Sequence, residues 1–131
     1  KGGLTLGYRV EADGQAIAYL PDHAFDSSPT REVGELCRGV DLLIHDGQHR
    51  DAEFPTTAYL GHTTVERAVR LAASMEVRRL VVFHHDPART DDELDEIGRS
   101  LPGWAVVARQ GETLTLGDAV ATREAHSLSP Q

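Results

Sequence analysis

Leu80-Val81-Val82-Phe83-His84-His85-Asp86-Pro87 is the stretch on which the fold turns. Four consecutive apolar residues end abruptly in two histidines and an aspartate. Successive residues of a strand point to opposite faces, so a strand wet on one side alternates apolar and polar. A strand without alternation is covered on both faces. Val40-Asp41-Leu42-Leu43-Ile44-His45 is built similarly and also ends in a polar cluster, His45-Asp46-Gly47-Gln48-His49. Residues 40–45 and 80–84 are therefore read as strands.

Between them, Val65, Ala68, Val69 and Ala72 recur at the helical period and predict a helix over 64–76. Thr63 and Glu66 are read as its capping box. Upstream, Asp13-Gly14 separates the apolar-rich runs 4–12 and 15–20. Asp-Gly accepts positive φ at both turn positions, so this is a hairpin signal. Residues 21–30 read as loop. A short helix over 31–38 follows, stopped by Gly39. Downstream, Thr90 and Glu93 form a second capping box before a helix striped by Leu94, Ile97 and Leu101. Trp104–Ala108 and Glu112–Leu116 read as a last pair of strands, and 118–131 as a frayed tail. The alternation is α/β. Three helices cover one face of a six-stranded sheet and leave the other open. A second half or a partner subunit is expected there, a homodimer included.

The 131 residues suffice for one domain and carry a formal net charge of −8. Binding to nucleic acid uses clustered Lys and Arg to displace counterions, and no basic run is present. A nucleic-acid partner is therefore disfavoured. A small anionic substrate is not, because a bound metal reverses the local field. No apolar run approaches the roughly 18–20 residues of a membrane span, so no membrane partner is expected. The single cysteine, Cys37, allows no intrachain disulfide, which fits a reducing cytoplasm.

Polar residues gather where strands end: Leu20-Pro21-Asp22-His23, His45-Asp46-Gly47-Gln48-His49, Gly61-His62-Thr63-Thr64 and Phe83-His84-His85-Asp86-Pro87. Six of the seven histidines lie in these segments. The carboxyl ends of strands in an α/β sheet share one edge, where ligands usually bind. His and Asp are ligand types for zinc, manganese or iron. Each residue also has a plain structural reading. Asp22 and Asp86 flank prolines and suit turns; Asp46 suits an Asx turn; His62 sits before a helix start; His84 and His85 suit a solvated strand end. Their joint recurrence after successive strands favours a site.

Taken together, these segments resemble metallo-β-lactamase-fold hydrolases, in the branch containing tRNase Z and related phosphodiesterases. The similarity runs over about residues 5–117. Ala18-Tyr19-Leu20-Pro21-Asp22 matches the strand ending in the family's metal-bridging aspartate. Asp41–Asp46 is similar to "DLLIHEA", Gly61–Thr64 to "GHST", and Arg79–His84 to the strand delivering the last metal histidine. The resemblance implies the C-terminal half of an αββα sandwich over 1–117, with one mixed sheet and helices on one face, and a disordered tail over 118–131. It implies a metal-dependent hydrolase, most simply a phosphodiesterase acting on a small-molecule phosphoester, with two divalent ions, zinc before manganese or iron. Asp22 and His84 would be metal ligands, Asp22 bridging. His62 would act on the scissile phosphate or leaving group, oriented by Asp46. The family's His-x-His-x-Asp-His motif and its next histidine ligand are absent from these residues. The chain is therefore read as a fragment that is inert by itself. The alternative is a non-catalytic half-domain serving as an interaction or regulatory module.

Overall fold

The structure, a computed structural model, describes residues 7–21, 30–53, 63–116 and 122–125. Strands β1 (Tyr8–Ala12) and β2 (Gln15–Leu20) form the expected hairpin. Asp13 (φ 55°) and Gly14 (φ 78°) both adopt the left-handed conformation that matches the strands' twist. Helix α1 (Arg31–Cys37), β3 (Leu42–Asp46), α2 (Val65–Ser74), β4 (Leu80–Phe83), α3 (Asp91–Ser100) and β5 (Ala105–Val107) follow in alternation. The sheet order is β1-β2-β3-β4-β5, antiparallel between β1 and β2 and parallel thereafter.

Ala18, Leu43, Leu80 and Ala105 stand in register across the parallel strands and point to one face. Val33 and Cys37 of α1, Val65, Ala68, Leu71 and Ala72 of α2, and Ile97 of α3 pack on that face in one apolar cluster. All three helices thus share a side, as successive crossovers between parallel neighbours require. The expectation of one mixed sheet with helices on one face is met. Cys37 is fully buried in this cluster. Burial pushes its thiol up to about 11, against the opposing charge of Arg9, so it is a core residue.

Helix ends show which local signals act. Thr90 and Glu93 make the reciprocal capping box expected of α3 (3.1 and 2.9 Å). At α2 the cap is Thr64 and not Thr63: its hydroxyl accepts from Arg67 N at 3.0 Å. Glu66 instead accepts from Arg50 Nε (2.8 Å) and Asp51 N (2.9 Å). The tertiary partners outcompete the local box. Arg9 on β1 donates to Leu36 O at 2.9 Å and closes the carbonyl end of α1.

The C-terminal region departs from expectation. The main sheet has five strands, because β5 joins it as a parallel neighbour of β4 and does not pair with the next run. That run, β6 (Glu112–Thr115), pairs antiparallel with β7 (Thr122–Ala125), inside the stretch read as a frayed tail. No helix among the described residues is long and apolar enough to cross a membrane.

Candidate functional site

Parallel β2, β3 and β4 bring their carboxyl ends to one edge, with Leu20 beside His45 and Asp46 beside Phe83. The Gly47 N–H donates to Phe83 O (2.9 Å) and prolongs the pairing past both strands. Asp46 is fully buried. Its Oδ1 accepts from Gln48 N at 3.1 Å, the Asx turn anticipated from sequence, and lies 3.7 Å from His84 Nδ1. Both roles belong to one carboxylate.

His84 leaves the strand in the left-handed region, φ 62°. For a residue with a Cβ this costs on the order of 1–3 kcal/mol and persists only where the surroundings impose it. The turn aims a half-exposed imidazole at Asp46, edge-on to Phe83 (centroids 6.1 Å apart). His85 folds back instead, with Nε2 3.2 Å from Val82 O. Burial holds it below the usual imidazole range, helped by the nearby charges of Arg89 and His84 and opposed by backbone groups of Val82 and Gly47. Of the pair, His84 faces the acidic residue and His85 faces the chain.

Two other histidines of the motifs, His45 and His49, tie the chain together. His45 is buried on the helix-covered side, its Nδ1 2.8 Å from Asp46 O. His49 is buried and bridges to α2: its N–H donates to Thr63 O (3.3 Å) and its carbonyl accepts from Val65 N (2.8 Å). That bridge sets the start of α2 at the same edge. Asp86 accepts from Ala88 N at 2.9 Å, so its plain turn reading holds. Asp22 and His62 lie outside the described residues; their chain neighbours Pro21 and Thr63 follow β2 and precede α2 at this edge.

Sequence reading passed over a polar brace beneath these loops. Thr64 Oγ1 donates to Asp51 Oδ1 (2.7 Å), Arg50 pairs with Glu66 (2.8 Å), and Arg89 pairs with Glu53 (3.1 Å). Charged residues in loops carry no periodic signal, and only the fold reveals their convergence.

Among the described residues, no group of three or more His, Cys, Asp or Glu side chains is placed to hold a metal. The pair that is described fits one ligand with its support. A metal-bound imidazole commonly offers its second nitrogen to a carboxylate, which sets its tautomer and orientation. His84 Nδ1 faces buried Asp46, which leaves Nε2 directed away from the carboxylate.

Gly47 admits no side chain. A Cβ there would stand 2.1 Å from Val82 Cγ1 and 3.3 Å from Val65 Cγ2. Val82 is fully buried and cannot retreat. Gly47→Ala is expected to cost about 1–3 kcal/mol or more through overpacking and to spread β3 from β4 beside Asp46. Urea denaturation would show it as a lower midpoint with an unchanged slope; an unchanged midpoint would refute the close approach.

The family model described as "Beta-lactamase superfamily domain" matches residues 1–85. The chain is 30% identical over 119 residues to ribonuclease Z of Bacteroides thetaiotaomicron, covering 88% of this chain and 36% of that protein. To ribonuclease Z of Pyrococcus horikoshii it is 31% identical over 94 residues, 72% of this chain and 30% of that one. The chain thus spans about a third of the length of these curated relatives. Human tRNase Z, short form, superposes with a TM-score of 0.56 at 30% identity, over 62% of this chain and 30% of that one. A diphosphatase of the PhnP family superposes at 0.57 and 18% identity, over 93% and 44%, and speaks for the fold. These relatives overturn the expectation that nucleic acid is disfavoured in favour of a small phosphoester, since the curated relatives at about 30% identity are ribonucleases. Net charge sums over a whole surface, whereas phosphate recognition is local, and here the sum covers only about a third of such a protein's length. By its family match and its neighbours in sequence and structure, this chain belongs to the β-lactamase superfamily and is a tRNase Z-like protein of the metallo-β-lactamase fold.

Proposed function

We propose that the chain contributes Asp22, Asp46, His62 and His84 to a two-metal centre that hydrolyses phosphodiester bonds of RNA. The observation that carries this reading is the His84–Asp46 pair at the shared carboxyl edge of β3 and β4, in a chain whose relatives are ribonuclease Z. Two divalent ions, zinc first and manganese or iron next, would supply charge stabilisation for an in-line displacement at phosphorus when bound. Asp22 and His84 hold them. His62 handles the proton of the leaving oxygen. Asp46, buried at the strand end, fixes the imidazole it faces. The resemblance assigns that imidazole to His62, and the geometry offers it His84.

Two ligands bind a metal weakly and leave the attacking water unfixed, so the 131 residues alone are expected to be inert. The active unit joins them to a segment bearing His-x-His-x-Asp-His. A reducing cytoplasm suits its lone buried thiol. The test uses that joined protein on a labelled transfer RNA transcript. Stripping metal with a chelator should abolish cleavage, and added zinc should restore it. Cleavage that survives stripping would sink the metal reading. Restored cleavage of a small diester alone, with the transcript intact, would sink the RNA assignment.

A further inference from the structure

The left-handed turn at His84 needs something to hold it on its C-terminal side, and beside the fold-back of His85 onto Val82 O (3.2 Å) the loop sends one further side chain across to β3's loop among the described residues. Past His84, Asp86–Arg89 closes on itself: Ala88 N donates to Asp86 Oδ1 (2.9 Å) and Arg89 N to Asp86 O (2.9 Å). This compact turn ends at Thr90, the cap of α3. From it, the Arg89 side chain returns to the loop after β3. Its Nη2 donates to Gln48 O (3.2 Å) and to both oxygens of Glu53 (3.1 and 3.3 Å). The side chain is only 11% exposed. Glu53 is itself fixed by Arg50 N at 2.9 Å. Its carboxyl is held below the usual range: burial raises it, but the Arg50 hydrogen bond and the charges of Arg89 and His49 prevail.

His84 therefore lies between two links joining the loops of β3 and β4. One is Gly47 N to Phe83 O on its N-terminal side (2.9 Å). The other is Arg89 to Gln48 and Glu53 on its C-terminal side. A segment pinned at both ends around a compact turn has little freedom left, and a strained conformation survives where the surroundings over-determine it.

We infer that Arg89 is a positioning residue: gripping Gln48 and Glu53, it holds His84 in its left-handed conformation against Asp46. This rests on the proposed reading of His84 as a metal ligand only for its consequence, not for the clamp itself. Arg suits the task because one guanidinium nitrogen, Nη2, carries two N–H donors and meets a carboxylate and a carbonyl together. Lysine, a single point charge, replaces only part of that grip.

The test compares the 131-residue chain with Arg89→Met, Arg89→Lys and Glu53→Gln, metal-free, by hydrogen–deuterium exchange of peptides. In Arg89→Met, exchange across 84–90 should rise at least about tenfold while peptides from Leu42–Asp46 and Leu80–Phe83 keep their protection. Arg89→Lys and Glu53→Gln should fall between. Unchanged exchange across 84–90 in Arg89→Met overturns the inference. So does equal loosening of both strands, since the residue would then hold the whole sheet edge. Zinc affinity of the joined protein, measured by competition with a chelator, gives the second readout. Arg89→Met should weaken it by about 10- to 100-fold, as loss of outer supports does, alongside a larger loss in His84→Ala. If His84→Ala leaves zinc affinity intact, the ligand reading falls, and the exchange result still judges the clamp.

Discussion

His62→Ala in the joined, metal-loaded protein is expected to lower turnover by about 10²- to 10⁴-fold, the range of a lost general acid or base, with bound metal unchanged. Asp22→Ala is expected to strip metal from the same protein and lower turnover by about 10³-fold or more, because several kcal/mol of charge stabilisation leave with the ions. The contrast follows from the two residues' places in the chain. Asp22 comes two residues after the end of β2, and the proposal makes it the carboxylate shared between cations. His62 stands just ahead of α2, whose start is tied to the site edge through His49 and Thr64. Metal content by mass spectrometry and single-turnover cleavage of an RNA substrate separate the roles. Metal loss in His62→Ala equal to that in Asp22→Ala would make His62 a ligand and sink the assignment. Asp46→Asn then decides which imidazole the buried carboxylate serves. Weaker metal binding points to His84, 3.7 Å away; slower turnover with full metal points to His62.

The core elements were legible because their signals are strong and local. Asp13-Gly14 specified its hairpin through φ alone. The unbroken apolar runs at Leu42–Ile44 and Leu80–Phe83 marked central strands, and they stand at the middle of the sheet. Long-range choices were not legible. Glu66 has the right spacing for a capping box, yet Arg50 and Asp51 reach it first. Ala105–Val107 precedes a Gly111 turn as a hairpin arm would, yet its consecutive apolar residues find their partner in β4. Apolar pattern shows that a strand exists, not which neighbour it takes. The proposed site reads in the sequence as a list of strand-end residues, of which the structure describes Asp46 and His84. The left-handed His84 and the Arg89–Glu53 brace were not legible, because both depend on how two loops meet.

The sheet face away from the helices should make this chain adhesive. Tyr8 and Tyr19 stand in register on adjoining strands with rings stacked 6.5 Å apart, and Tyr19 stacks on Phe83 at 5.6 Å. Tyr8 and Val10 are more than half exposed and Tyr19 is 37% exposed. Ile44, Phe83 and Val106 are half-buried beside them. Over β3 to β5 the face is partly covered: Leu42 and Val81 are buried, and Leu114 of β6 lines the same grooves as Val81 and Val106. Monomers rarely expose contiguous apolar patches above a few hundred Å², and covering such a surface is worth about 25 cal/mol per Å². The 131-residue chain is thus expected to bind an apolar dye and to associate as its concentration rises. Tyr8→Lys with Val10→Lys, the two more exposed positions of the face, should weaken both and move the melting midpoint little, because exposed positions usually shift stability by less than about 0.5 kcal/mol. Leu71→Ala, on the covered face, should instead cost about 2–5 kcal/mol and leave dye binding by the folded chain unchanged. A chain that binds no dye, or a double-lysine variant that melts as low as Leu71→Ala, would show that the strands' second face is already covered by residues of this chain.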